Sequence, residues 1–389
     1  MVTGADAQWL VLAGCDGSFC ITIYITILQE RERNMTEKNI FLIGFMGAGK
    51  STVSLALKKM YRMELIEMDQ EIEKREGKTI SEIFKIYGEP YFRELETGFL
   101  KGLHTEKLTV ISCGGGVPLR ENNVKAMREK GKIVWLCAAP GTVYDRIRTD
   151  QGRPILTGKM DIKHIAELME ERREKYSQAA DFLVNTDGKT AEEIAEEIWV
   201  TLEEADLKSG KLYDPGDPYM LQRQQKGLML QYEYNQTRPD ETKKRQELLK
   251  KMFQEIGEDC YVEPPLHANW GGRHVHLGNR VYANFNLTLV DDTDIYIGDS
   301  TMIGPNVTIA CGSHPLEPGL RSKGLQLNHP VRIGKNVWIG AGAILLPGVS
   351  VGDNAVIGAG SVVTKDVPAG AVAVGNPCRV IRMLEPEKE

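Results

Sequence analysis

The residues Gly44-Phe45-Met46-Gly47-Ala48-Gly49-Lys50-Ser51 spell G-x-x-x-x-G-K-S, a pattern able to hold the phosphates of a nucleotide. Glycines let successive backbone N–H groups turn inward around an anion, and a helix starting at the lysine adds the positive end of its dipole. Lys50 would then reach the β- and γ-phosphates and Ser51 would ligate Mg²⁺, with Gly47, Ala48, Gly49 and Thr52 completing the ATP contacts. A second chemistry is available at His314, within Ser313-His314-Pro315. An imidazole titrates near neutrality and can accept a proton from an alcohol, which is otherwise a poor nucleophile. A lone loop histidine is more often a plain surface residue. His314 stands out because it interrupts a regular repeat, and loops on rigid scaffolds are where function concentrates.

Two kinds of scaffold are written into the chain. From Asn39 onward, short apolar runs at 40–43, 65–66, 108–112, 133–136 and 182–184 predict strands buried on both faces of a parallel sheet. Charged, helix-periodic segments at 50–62, 79–87, 92–104, 122–130, 161–177 and 190–205 separate them, so an α/β P-loop domain over 35–206 is expected, its parallel sheet covered by helices. Leu207-Lys208-Ser209-Gly210 reads as a short polar linker.

The second scaffold is a repeat. An aliphatic residue recurs every six positions at Ile297, Ile303, Ile309, Ile333, Ile339, Leu345, Val351, Ile357 and Val363, most of them followed by glycine. Between Ile309 and Ile333 the phase is kept, so a loop leaves and returns in register. One inward aliphatic and one turn-permitting glycine per six residues is the signature of a hexapeptide β-helix, here an all-β domain over 207–389 preceded by a helical segment.

Composition narrows the function. A net charge of -6 over 389 residues argues against general nucleic-acid binding, which needs a basic face. The seven cysteines are scattered with no CxxC spacing, which implies reduced thiols and a cytoplasmic protein. The apolar stretch 9–28 is broken by Gly14, Asp16, Gly17 and Ser18, so neither a membrane span nor a signal peptide is expected. Residues 1–34 read as a disordered leader or a mis-assigned start upstream of Met35.

From about 40 to 200 the chain resembles shikimate kinase. The resemblance is carried by the P-loop, by Glu67-Met68-Asp69, by Phe92-Arg93 with Glu96, by Gly114-Gly115-Gly116 after a strand, by Arg153-Pro154-Ile155-Leu156, and by Arg172 four residues before Tyr176. It implies that Arg93 and Arg172 fork onto the shikimate carboxylate, since a guanidinium matches that group bidentately. Asp69 would orient or deprotonate the attacking hydroxyl, and Gly114, Gly115 and Gly116 would let the backbone approach the ring. Arg153, in a lid at 150–159, would close over the transferring phosphoryl group and act in catalysis with Lys50 and Asp69. The family usually has Asp where this chain has Glu67, a carboxylate of longer reach. The runner-up is a P-loop kinase for another small molecule.

From Gly210 to Arg382 the chain resembles the maltose and galactoside O-acetyltransferases of the hexapeptide-repeat superfamily. The quoted motifs are Glu263-Pro264-Pro265, Tyr282-Ala283-Asn284-Phe285-Asn286, Asp291-Asp292, Ser313-His314-Pro315, Asn336-Val337-Trp338-Ile339-Gly340, Val363-Thr364-Lys365-Asp366 and Gly375-Asn376-Pro377-Cys378-Arg379-Val380-Ile381-Arg382. The resemblance implies a left-handed parallel β-helix and a homotrimer with sites between subunits. His314 would be the base for direct attack on acetyl-CoA, and Asn284 would bind the acceptor hydroxyl. Trp338 and Ala359 would line the pantetheine slot, and Thr364, Lys365, Arg379 and Arg382 would meet the CoA phosphates. Asp214 or Asp217 could help place the acceptor, and the sequence does not choose between them. A zinc hydrase of the same fold is a rival, because His274 and His276 are spaced to share a strand face. Together the halves imply a bifunctional cytoplasmic enzyme, with ATP, Mg²⁺, acetyl-CoA, shikimate and a sugar hydroxyl as its ligands. The alternative is a kinase whose β-helix is only a trimerising scaffold.

Overall fold

The computed structural model describes residues 39–148 and 161–385. The leader 1–34 and the lid segment 150–159 with Arg153 lie outside the described residues. The chain forms two compact units, Met1–Val200 and Thr201–Glu389.

In the first unit, strands β1 (Asn39–Ile43), β2 (Glu64–Glu67), β3 (Thr109–Ser112), β4 (Gly131–Cys137) and β5 (Phe182–Asn185) form one parallel sheet in the order β2-β3-β1-β4-β5. The central strand β1 is buried along its whole length, which is why its apolar run is unbroken. The helices are α1 (Lys50–Tyr61), α2 (Met68–Glu76), α3 (Ile80–Gly102), α4 (Glu121–Arg128), α5 (Pro140–Ile147), α6 (Ile162–Ala179) and α7 (Ala191–Lys208). The two helices expected around position 88 meet as one element, broken at Gly88, where φ is 79°. Its start is fixed by a capping box: Thr79 Oγ1 accepts from Glu82 N at 3.3 Å and Glu82 Oε2 accepts from Thr79 N at 2.8 Å, a cap worth about 1 kcal/mol. Helices α2 and α5 lie where no helix is predicted; α2 buries only Met68 and Ile72, too few for a visible period.

This sheet order decides where chemistry can occur. The P-loop follows β1, Glu67 ends β2, and Gly114 to Gly116 follow β3. Since β2, β3 and β1 are adjacent and parallel, all three segments emerge at one carboxyl edge, where α/β sheets bind ligands.

The division between the units falls inside α7, so Leu207 and Lys208 are helical rather than part of a linker. Two more helices follow, α8 (Pro218–Asn235) and α9 (Thr242–Met252). They close one end of a parallel β-helix. Tyr234 donates to Val262 O, Asn235 exchanges bonds of 2.8 Å with both backbone groups of Leu266, and Leu248, Leu249 and Met252 join the coil core.

The β-helix has three faces. Leu277, Ile297, Ile333 and Val351 stack in one sheet; Ala283, Ile303, Ile339 and Ile357 in the next; Leu289, Ile309, Leu345 and Val363 in the third. Every predicted head is buried. The coils before Ile297 are out of phase because the rung from Leu277 to Ile297 carries two extra residues, at the corner holding Asp291 and Asp292. The rung from Ile297 to Ile333 carries the long loop at the same corner. Turn glycines are needed by contact: a Cβ at Gly298 would sit 2.6 Å from the Gly334 carbonyl carbon.

Candidate active sites

In the first unit the P-loop is shaped as its pattern demands. Gly47 has φ 74°, and a Cβ there would lie 2.7 Å from Ile147 Cγ2, so only glycine fits. Lys50 Nζ donates to the loop carbonyls of Gly44 and Phe45 at 2.8 and 3.1 Å, poised at the mouth of the loop. Gly49 caps α1 in the left-handed region, with Ser51 and Thr52 in the first turn. A brace behind this loop has no counterpart in the sequence pattern. Arg146, on α5, donates to Gly47 O at 3.1 Å and to Thr186 O and Oγ1 at 3.1 Å.

Glu67 is where a carboxylate should be, and its extra length is used. Its Oε2 accepts from Ser51 Oγ and its Oε1 from Ser54 Oγ, each at 3.2 Å. Two serines one helical turn apart on α1 thus grip both oxygens. A serine hydroxyl beside a carboxylate, at the start of a phosphate loop, is the hard oxygen donor set that Mg²⁺ takes.

Asp69, Arg93, Gly114, Gly115, Gly116 and Arg172 are brought together. A Cβ on Gly114 would lie 2.9 Å from Glu96 Oε1 and 3.0 Å from Asp69 Oδ1, and one on Gly116 would overlap the Arg93 guanidinium. Tyr176 OH donates to Gly115 O at 2.5 Å, and burial raises its hydroxyl to about 12, so it remains a donor. Arg172, one turn back on α6, spreads over the Phe45 ring at 5.4 Å. Arg93 donates to Glu89 Oε1 at 2.8 Å and to Glu96 Oε2 at 2.9 Å, and these carboxylates hold its guanidinium more firmly protonated than usual despite burial.

Glu96 received no role from its motif. Its side chain is fully buried and its Oε1 has no hydrogen-bond partner among the described residues. Desolvation lifts its carboxyl to about 7, against the pull of Arg93. The signal was its i,i+3 spacing from Arg93.

In the second unit His314 is exposed on the loop, whose arms pair as Gly312–Ser313 against Leu327–Asn328. Its Nδ1 lies 2.9 Å from Leu325 O. A carbonyl only accepts, so Nδ1 carries the proton, and Nε2 of the neutral ring holds the lone pair a base needs. Beside the loop, Asp292 Oδ2 lies 2.4 Å from where a Gly312 Cβ would be, while its Oδ1 accepts from Asn269 Nδ2 at 2.6 Å and Trp270 Nε1 at 3.2 Å.

The other expected residues divide between edges of the prism. Asn284 and Ala359 follow Ala283 and Ile357, at the corner leading into the Leu289 sheet. His314, Thr364 and Lys365 come from the corner leaving that sheet. Trp338 projects, about half exposed, from the sheet of Tyr282 and Met302, and Arg379 and Arg382 lie on the terminal strand Arg379–Met383. One chain therefore does not gather Asn284 and His314 at one corner. Asp217 caps α8, accepting from Tyr219 N and Met220 N at 2.9 and 3.1 Å; Asp214 accepts from Gly216 N at 2.8 Å in an exposed turn.

His274 and His276 do not share a strand face. His274 lies in the turn before Val275–Leu277, buried, with Nδ1 2.6 Å from Asp291 O and Nε2 3.2 Å from Glu204 Oε2. His276 spends both ring nitrogens on Glu255 and Asp294, at 3.0 and 3.1 Å. Among the described residues no three His, Cys, Asp or Glu side chains are grouped to hold a metal.

The shikimate kinase family model matches residues 46–203, the maltose acetyltransferase hexapeptide capping motif matches 207–257, and the hexapeptide repeat of succinyl-transferase matches 330–365. A galactoside O-acetyltransferase of Lactococcus lactis is 55% identical over 45% of this chain and 84% of its own length, and one of Escherichia coli is 47% identical over 45% and 86%. A shikimate kinase of Sulfurihydrogenibium is 43% identical over 41% of this chain and 95% of its own. The chain belongs to both families. The shikimate kinase segment holds the P-loop, Glu67, Asp69, Arg93, the three glycines and Arg172. The O-acetyltransferase segment holds the coil and His314. No helix among the described residues is long and apolar enough to cross a membrane.

Proposed function

We propose that this protein is a bifunctional enzyme that phosphorylates the 3-hydroxyl of shikimate with ATP and transfers acetyl from acetyl-CoA to a sugar hydroxyl. For the kinase, the observation that carries the reading is the convergence of Asp69, Arg93 and Arg172 on the glycine turn beside the P-loop. Arg93 and Arg172 bind the carboxylate, which fixes the ring. Asp69 accepts from the attacking hydroxyl and draws off its proton as the bond to the γ-phosphorus forms and the bond from that phosphorus to the departing ADP breaks. Ser51, backed by Glu67, would hold Mg²⁺, which neutralises phosphate charge when bound. Lys50 balances the β- and γ-phosphates, and Arg153 would add positive charge to the transferring phosphoryl group.

For acetyl transfer, the Leu325 carbonyl fixes the tautomer of His314, so Nε2 takes the proton from the acceptor hydroxyl as it attacks the thioester carbonyl. Thiolate departs as the tetrahedral intermediate collapses. Asn284 binds the acceptor, Trp338 and Ala359 flank the pantetheine arm, and Thr364, Lys365, Arg379 and Arg382 meet the CoA phosphates. The separation of Asn284 from His314 within one chain supports a homotrimer whose sites are completed by a neighbour. The unpaired Cys113, Cys137, Cys260, Cys311 and Cys378 support a reducing, cytoplasmic setting.

The test is to incubate the protein with ATP, Mg²⁺, acetyl-CoA, shikimate and a panel of sugars, and to read products by mass spectrometry. A phosphate on shikimate and acetyl on a sugar are expected. Failure to phosphorylate shikimate overturns the first assignment, and failure to acetylate any member of the panel the second.

A further inference from the structure

Beneath the His314 loop lies a buried polar cluster that α7 helps to build. Asn328, on the strand returning from the loop, is 1% exposed. Its Nδ2 lies 3.2 Å from Leu207 O, 3.0 Å from Tyr213 OH and 3.1 Å from Asp292 O. Its Oδ1 accepts from Gln326 Nε2 at 3.0 Å. The Leu207 carbonyl is in the last turn of α7, where carbonyls lack a partner within the helix, so it is available to an outside donor.

The same helix end is seated by ion pairs. Glu204 Oε1 accepts from Arg223 Nη2 and Arg273 Nε, both at 3.1 Å, and its Oε2 lies 3.2 Å from His274 Nε2. Glu203 pairs with Arg223 at 2.5 Å, and Lys208 with Asp294 at 2.9 Å. These neighbours lower the Glu204 carboxyl to about 2, and Glu204 in turn raises His274 against the effect of its burial. His274 passes the contact on to the Asp291 carbonyl, beside Asp292. The shikimate kinase match ends at residue 203 and the acetyltransferase capping match begins at 207, so Glu204 lies in the interval between the two matches.

We propose that the C-terminal end of α7 is a positioning element of the acetyl-transfer site: Glu204 seats it, and Leu207 O, through Asn328, fixes the strand that returns the His314 loop to the coil. The join between the two enzymes is then part of the second one's machinery. This rests on the acetyl-transfer reading of His314.

The test uses the full chain with Glu204→Ala, Glu204→Gln and Asn328→Ala. Acetyl-transfer kcat and KM are measured, and shikimate phosphorylation by the same preparation serves as the folding control. A displaced base costs rate rather than donor binding, so kcat should fall about tenfold or more in Glu204→Ala and Asn328→Ala while KM for acetyl-CoA stays within about twofold. Glu204→Gln, which keeps the shape and loses the charge, should fall between them and wild type. Should Glu204→Ala fail to fold, Asn328→Ala leaves every ion pair intact and carries the test. Unchanged kcat overturns the proposal, as does a fall in kcat matched by an equal rise in KM. Should wild type acetylate nothing, the reading of the site fails. Hydrogen exchange across 312–329 then still decides whether α7 holds the loop: it should be faster in Glu204→Ala than in wild type, and equal rates overturn the proposal.

Discussion

Replacing Glu96 with glutamine should stabilise the kinase unit above neutral pH and leave it unchanged in acid. The carboxyl is fully buried; one oxygen accepts from Arg93 and the other has no partner among the described residues. Folding raises it from 4.5 to about 7, which at about 1.4 kcal/mol per pH unit is a penalty on the order of 3 kcal/mol on the ionised form. Below pH 4.5 folded and unfolded chains both carry the proton and nothing is lost. Between 4.5 and about 7 the unfolded chain ionises first and the folded state loses ground. Above about 7 the whole penalty is present. Glutamine has the same shape and no charge, so Glu96→Gln avoids it. For a unit of this size each kcal/mol moves Tm by roughly 2–4 °C, so the variant should melt several degrees higher at pH 8 and together with wild type near pH 4.5. Calorimetry measures this, and the relevant transition is the one shikimate shifts upward. The ionised carboxylate also competes with substrate for Arg93, so shikimate KM should climb above pH 7 in wild type and less in the variant. A gap in Tm that does not change with pH, or a variant less stable than wild type at pH 8, would refute the reasoning. Arg93 would then be holding Glu96 ionised at a profit.

Three further outcomes are expected. Glu67→Ala removes the carboxylate gripping Ser51 and should raise the Mg²⁺ concentration for half-maximal phosphorylation by about 10–100-fold, the usual effect of losing a ligand's supporting partner; an unchanged Mg²⁺ titration contradicts it. Tyr176→Phe leaves the Gly115 carbonyl without its donor, a loss of about 1–3 kcal/mol, and should raise shikimate KM while ATP KM holds steady in initial-rate kinetics. His314→Ala should lower acetyl transfer by about 10²–10⁴-fold with phosphorylation intact, and acetylation at the wild-type rate would remove His314 as the base.

How far the sequence could be read depended on whether a residue's partner was near it in the chain. Strands β1 and β3 were legible because burial on both faces forces an unbroken apolar run; β2 and β5, at the sheet edges, are only partly buried, against the expectation, and their apolar runs are correspondingly short. The coil from Ile297 was legible because each rung repeats the same burial every six residues. The rungs before it were hidden by the two extra residues at the corner of Asp291 and Asp292. That slip was itself the signal, since the same corner carries the His314 loop one rung later. Helix α2 stayed hidden because it buries too little to show a period.

The sites divide along the same line. Lys50, Asp69, Arg93, Arg172 and His314 are the residues proposed to face ligands, and their types in fixed motifs announce that work. The residues holding them in place have partners far along the chain: Arg146 on the Gly47 carbonyl, 99 positions away, and Asn328 on that of Leu207, 121 away. Nothing local distinguishes such an arginine or asparagine from a surface one. Each is bound to a carbonyl, and every residue type presents a carbonyl, so the partner leaves no mark in the sequence either. The ligand-facing half of an active site is therefore written in residue identity, while the supporting half is written only in topology. In this chain the supporting half includes the helix in which the two enzymes join.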